Sequence, residues 1–184
     1  GTITYQSGTW PSIGVVRLQT PATANSGPGI ALDSGNTALF SNLAANAGWE
    51  LRIRFRLMQT SNSRLRIGFF PAANTLAAPA DGLYLRYDTS QSDTQFLFES
   101  RSGGSATTQQ TGVAADTGWH TIQIVSAVAG SVQFRLDSGT PQTISTGLPT
   151  GALTLGAYLV NAGAAAAGSV ELDYVKFEAR GVSR

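Results

Sequence analysis

The sequence predicts an all-β protein folded as an antiparallel two-sheet sandwich, a jelly roll. Three observations carry that expectation. Apolar residues recur at period two along most of the chain, no segment holds a long helical stripe, and clusters of Gly, Asn, Asp and Ser cut the chain into short pieces. Strands with one apolar face must bury it, and without helices a second sheet is the natural cover.

The clearest strand runs from Trp49 to Leu57, where Trp49, Leu51, Ile53, Phe55 and Leu57 alternate with Glu50, Arg52, Arg54 and Arg56. The same alternation sets Leu65, Ile67 and Phe69 against Arg64, Arg66 and Gly68. It sets Leu83, Leu85 and Tyr87 against Tyr84, Arg86 and Asp88, and Val132, Phe134 and Leu136 against Gln133, Arg135 and Asp137. Weaker alternation predicts further strands over 13–18, 29–32, 38–40, 95–99, 106–110, 120–125, 142–145, 153–160 and 169–178. Turn clusters at 60–63, 79–82, 102–104 and 137–141 separate them. The alanine run 164–167, bracketed by Gly163 and Gly168, reads as a loop.

A length of 184 residues fits one domain over 1–184, with 1–12 an extended N-terminal arm and 180–184 a tail. At this size folding buries roughly 70% of the unfolded surface, so the core needs no staple. The absence of Cys excludes a disulfide scaffold and Cys-based zinc sites. A net charge of +1 gives no ground for expecting nucleic acid or an anionic membrane as partner. No stretch is apolar for long enough to span a bilayer, and the polar start Gly1-Thr2-Ile3-Thr4-Tyr5 does not read as a signal peptide. Charged residues are 12% of the chain, about half the usual share.

Landmarks in order are Trp49-Glu50-Leu51-Arg52-Ile53-Arg54-Phe55, Arg66-Ile67-Gly68-Phe69 and Asp81-Gly82-Leu83-Tyr84-Leu85-Arg86-Tyr87-Asp88. Then come Thr117-Gly118-Trp119-His120-Thr121-Ile122, Val132-Gln133-Phe134-Arg135-Leu136-Asp137 and Leu172-Asp173-Tyr174-Val175. This series, from about Gly29 to Arg180, resembles the concanavalin A-like lectin/glucanase jelly rolls, in the variants found in tailed-bacteriophage structural proteins. The resemblance implies a non-enzymatic virion component at the particle surface, a capsid or tail decoration protein. Its partners would be other virion proteins and copies of itself. The alternative is a tail-fibre module that recognises host surface glycan, and a remoter one is a polysaccharide hydrolase or lyase.

The glucanases of that superfamily carry their acids as Glu-x-Asp-x-x-Glu on one strand, where residues two apart share a face. The nearest match is Glu171-Leu172-Asp173-Tyr174-Val175-Lys176, and Lys176 stands where the second essential carboxylate belongs. An ammonium cannot replace it. The sole histidine, His120, shares parity with Ile122 and Ile124 and reads as a structural side chain at the core face, and no Gly-x-Ser-x-Gly turn exists to pair with it. No catalytic residue is expected. Asp81, Asp88, Asp93 and Asp137 are acids at loops and strand ends, but they lack the density of a Ca²⁺ loop, so no cofactor or metal is expected.

Arginine marks the candidate binding surface. If residues 49–57 and 63–70 form a hairpin with Leu57 opposite Leu65 and Phe55 opposite Ile67, then Arg56 faces Arg66 and Arg54 faces Gly68. Facing like charges are destabilising, so such a face needs counter-charges, which Glu50, Asp88 and Glu99 can supply. Left open instead, Arg52, Arg54, Arg56, Arg66 and Arg86 would form a floor for an acidic sugar or an acidic protein patch. Tyr84, beside Arg86, and Trp10, before Pro11, are the rings read as available to a sugar, whereas Trp49 and Trp119 read as core or strand-start anchors.

Overall fold

The computed structural model describes residues 1–6, 14–31, 46–71, 77–163 and 167–179. Trp10, the strand expected at 38–40 and most of the alanine run lie outside them. Thirteen strands are present among the described residues: β1 (Thr2–Gln6), β2 (Val15–Gln19), β3 (Gly29–Ala31), β4 (Trp49–Leu57), β5 (Ser63–Phe70), β6 (Gly82–Asp88) and β7 (Gln95–Ser102). They continue with β8 (Ser105–Ala114), β9 (His120–Val128), β10 (Ser131–Leu136), β11 (Gln142–Ile144), β12 (Thr154–Asn161) and β13 (Ser169–Ala179). The only described helix is one 3-10 turn, Thr89–Gln91, capped by Asp88.

The strands form two antiparallel sheets. The seven-stranded sheet has the order β1-β2-β13-β4-β9-β10-β11, and the six-stranded sheet β3-β12-β5-β6-β7-β8. Period-two alternation sends one side of each strand into a shared interior. From the seven-stranded sheet come Leu51, Ile53, Phe55, Leu57, Ile122, Ile124 and Phe134, and from the six-stranded sheet Leu65, Ile67, Phe69, Leu83, Leu85, Phe96 and Phe98, all essentially inaccessible to solvent. Aromatic edges lock the layers together: Phe98 stacks on Phe134 at 4.8 Å, and Trp49 meets Phe69 edge-on at 5.4 Å.

One expected pairing is not made. β4 lies between β13 and β9 in the seven-stranded sheet, while β5 lies between β12 and β6 in the other. The 60–63 turn therefore carries the chain from one layer to the other instead of closing a hairpin. Parity cannot separate the two outcomes, because Leu57 and Leu65 point into the core in both. The arginines are divided as a result: Arg52, Arg54 and Arg56 lie on the outer face of the seven-stranded sheet, and Arg66 and Arg86 on the outer face of the six-stranded one.

Of the segment read as an N-terminal arm, residues 1–6 are described. Thr2–Gln6 pairs with β2 as an edge strand, leaving Ile3 43% exposed.

Candidate functional site

The outer face of the seven-stranded sheet is a ladder of ion pairs. Arg17 and Arg56 both donate to Glu171, Arg54 donates to Asp173 at 2.8 Å, and Arg52 pairs with Glu50. A β-bulge at Asp173 lets β13 turn this carboxylate outward between Leu172 and Tyr174. Burial opposes ionisation of Glu171, but the hydrogen bonds from Arg17 and Arg56 outweigh it and hold the carboxyl below its ordinary range. Both oxygens of the Glu171 carboxylate are thus occupied by guanidiniums, and Lys176 pairs with Glu178. Trp119 is half-buried on this face, not in the core, with the Arg54 and Arg56 guanidiniums 4.8 and 4.7 Å from its ring centre. Its neighbour His120 is buried against Phe55 and Phe96, with Nδ1 2.8 Å from Asp137 and Nε2 3.1 Å from Asp116.

The six-stranded sheet carries a different cluster on its outer face. Register aligns Tyr158 of β12, Arg66 of β5 and Arg86 of β6 in one row, and Gly68, Tyr84 and Glu99 in the next. Glu99 is buried and accepts from the Tyr84 hydroxyl at 2.7 Å, from Arg101 at 3.0 Å and from Arg86. Arg86 also forks onto Asp93 through Nε at 3.1 Å and Nη2 at 3.0 Å. One guanidinium thus links two carboxylates. Asp93 accepts as well from the Asp88 backbone N–H, which fixes the β6–β7 connection to the cluster.

Tyr84 is not an available ring. It is fully buried, lying over Gly82 and edge-on to Phe70, and Phe70 also packs on Tyr158. Burial, together with the Glu99 charge and hydrogen bond, pushes its phenol far up, so it remains a donor at any ordinary pH. Gly68 makes this packing possible: a Cβ there would lie 2.4 Å from the Leu83 carbonyl oxygen and 3.0 Å from the Tyr84 Cβ.

Of the residues read as site candidates, Arg66, Tyr84 and Arg86 converge here, and Arg52, Arg54 and Arg56 are on the opposite side of the sandwich. Arg101 escaped notice because the strand read over 95–99 runs on to Ser102, placing Arg101 on the Glu99 face two residues along. The acids weighed for Ca²⁺ have other partners: Asp88 holds Arg64, Asp93 holds Arg86, Asp137 holds His120 and Asp81 accepts from the Gly103 N–H. Among the described residues no group of three His, Asp or Glu is placed to hold a metal ion.

Solved structures share this architecture at low identity. The chain is similar to the protein of unknown function SO2946 from Shewanella oneidensis MR-1, with 19% identity and a TM-score of 0.64 over 97% of this chain and 75% of that one. It is similar also to the Bacillus licheniformis β-glucanase, with 13% identity and a TM-score of 0.62 over 98% and 88%. A lichenase derived from a mouse hindgut metagenome gives 9% identity and a TM-score of 0.63 over 96% and 83%. No curated protein sequence matches the chain.

These neighbours bear out the concanavalin A-like jelly roll and correct the functional expectation. A non-enzymatic bacteriophage virion component finds no support among them, because glycosyl hydrolases and β-glucanases predominate. The expectation that the chain is not an enzyme is displaced by the same finding. At the level of sequence, residues 12–173 match the family described as SO2946-like, C-terminal domain, and the protein belongs to that family.

Proposed function

We propose that the protein acts on a polysaccharide as a hydrolase, with the sugar chain meeting the outer face of the six-stranded sheet. Two considerations support the reading. The scaffold is that of proteins named as β-glucanase and lichenase, and this face holds two carboxylates bridged by a single guanidinium. Glycoside cleavage draws on two carboxyl groups flanking the scissile bond. The pair this face offers is Asp93 and Glu99, set on two edges of Arg86. That linked pair is the observation that carries the proposal. In the resting arrangement Arg86 occupies both carboxylates, so a sugar hydroxyl or glycosidic oxygen must take over one of its bonds before either can exchange a proton.

The test is reducing-end release from a mixed-linkage β-glucan, a laminarin-type glucan and an alginate-type polyuronate. Release from at least one by the wild-type protein is expected, falling about 100-fold or more in an Asp93→Asn variant whose circular dichroism matches the wild type. No release from any of the three, or full activity in Asp93→Asn, overturns the reading.

A further inference from the structure

Among the described residues, Arg66 is the guanidinium of this face that forms no ion pair. It is 5% exposed. Its Nη1 donates to the Ala77 carbonyl at 3.1 Å, and its Nε, shielded from solvent, has no hydrogen-bond partner. The carboxylates around it are committed elsewhere: Asp88 to Arg64 and Ser90, Asp93 to Arg86, and Glu99 to Tyr84, Arg86 and Arg101. Among the described residues, four guanidiniums, those of Arg64, Arg66, Arg86 and Arg101, therefore share three carboxylates. The β5–β6 connection, which brings Ala77 onto Arg66, reads Pro-Ala-Ala-Asn-Thr-Leu-Ala-Ala-Pro-Ala from Pro71 to Ala80 and holds no acid. Asp81, which follows, accepts from Gly103.

A buried cation without a counter-charge is costly, and a fold that keeps one has reason to meet an anion there. A guanidinium fork suits a planar carboxylate, and the enclosed Arg66 Nε–H has no partner of its own. Tyr158, next in the row, adds an apolar ring beside it. We infer that Arg66 anchors a carboxylate borne by the sugar, so that the polysaccharide taken is a polyuronate and not a neutral glucan. This inference rests on the polysaccharide reading above and names its substrate class.

The experiment measures binding of polyuronate oligomers, neutral β-glucan oligomers and a sulfated glucan by calorimetry, on the wild-type protein and on Arg66→Met and Arg66→Lys variants. The wild type is expected to bind the polyuronate about tenfold more tightly than either other ligand. That preference disappears in Arg66→Met and weakens in Arg66→Lys, which keeps the charge but loses the fork. Should Arg66→Met fail to fold, Arg66→Lys carries the comparison. Equal binding of neutral or sulfated glucan by the wild type, or a preference that survives in both variants, overturns the inference and leaves the polysaccharide reading standing. Binding of none of the three overturns both.

Discussion

The Tyr84 hydroxyl donates to Glu99 Oε1 at 2.7 Å, and both side chains are buried on the face of the six-stranded sheet that points away from the hydrophobic core. Outer faces of sandwiches are ordinarily wet. Here Glu99 is the hub to which Tyr84, Arg86 and Arg101 are tied, so the outer face carries a second, polar interior of its own.

Removing the hub charge should be severe. Glu99→Gln leaves the half-buried Arg101 with no matching charge and Arg86 with Asp93 alone, and breaking a buried ion pair from one side costs about 3 to 5 kcal/mol. Tyr84→Phe deletes one hydrogen bond and keeps the ring over Gly82, so about 1 kcal/mol is expected. Urea unfolding of the two variants measures the ratio. Equal, small losses would show that Glu99 is not the centre of the cluster.

Glu171 sets a pH dependence. Although burial opposes its charge, Arg17 and Arg56 hold its folded-state pKa below the ordinary value. A carboxyl depressed in this way contributes stability that is complete above its unfolded pKa and is lost as the pH falls through the folded value. Thermal melts from about pH 6 to about pH 3 should therefore show a fall in Tm that is shallower in Glu171→Gln. An identical slope in the two proteins would contradict the assignment.

Much of the fold was legible because burial in a sandwich is written at period two. The inward sets Leu51-Ile53-Phe55 and Leu83-Leu85-Tyr87 are where alternation puts them, and even the short β3 and β11 answer to segments read from the sequence. Strand partners were not legible at 57–65, since an inward Leu57 and Leu65 satisfy a hairpin and a crossover equally. The candidate site was half legible for the same reason. Parity placed Arg66, Tyr84 and Arg86 on an outward face, but outward was equated with exposed, and nothing in the local sequence says that Ala77 will fold back onto Arg66. Trp119, read as a core or strand-start anchor, does precede β9, but its ring lies half-buried against Arg54 and Arg56, a contact that nothing in the local sequence announces.

Trp119 should matter through its two cations. Arg54 and Arg56 are two apart on β4 and both lie against its ring. At partly exposed sites each such contact is worth about 0.5 to 1 kcal/mol. Trp119→Leu, which keeps apolar cover, should lose about 1 to 2 kcal/mol, and Arg54→Ala should cost much less in a Trp119→Leu background than in the wild type. A double-mutant cycle reads this coupling directly. Additive losses would mean that the rings and cations are neighbours without interaction.

Gly68 offers the sharpest structural prediction. Its φ of +142° is one that L side chains rarely adopt, and an added Cβ would come within 2.4 Å of the Leu83 carbonyl oxygen and 2.8 Å of the Tyr84 Cα. Both obstacles belong to the backbone of β6, so no rotamer change relieves them. Strand β6 would have to move away from β5, drawing Tyr84 from Glu99 and disturbing the cluster that Glu99 organises. Backbone strain and overpacking each cost roughly 1 to 3 kcal/mol, and Gly68→Ala should destabilise by about 2 to 4 kcal/mol. Gly130→Ala is the control: its φ is +74° but an added Cβ there has open space, so backbone strain acts alone. Urea unfolding should rank Gly68→Ala well below Gly130→Ala. Comparable losses would show that the close approach of β5 and β6 at Gly68 is not what confines the residue to glycine.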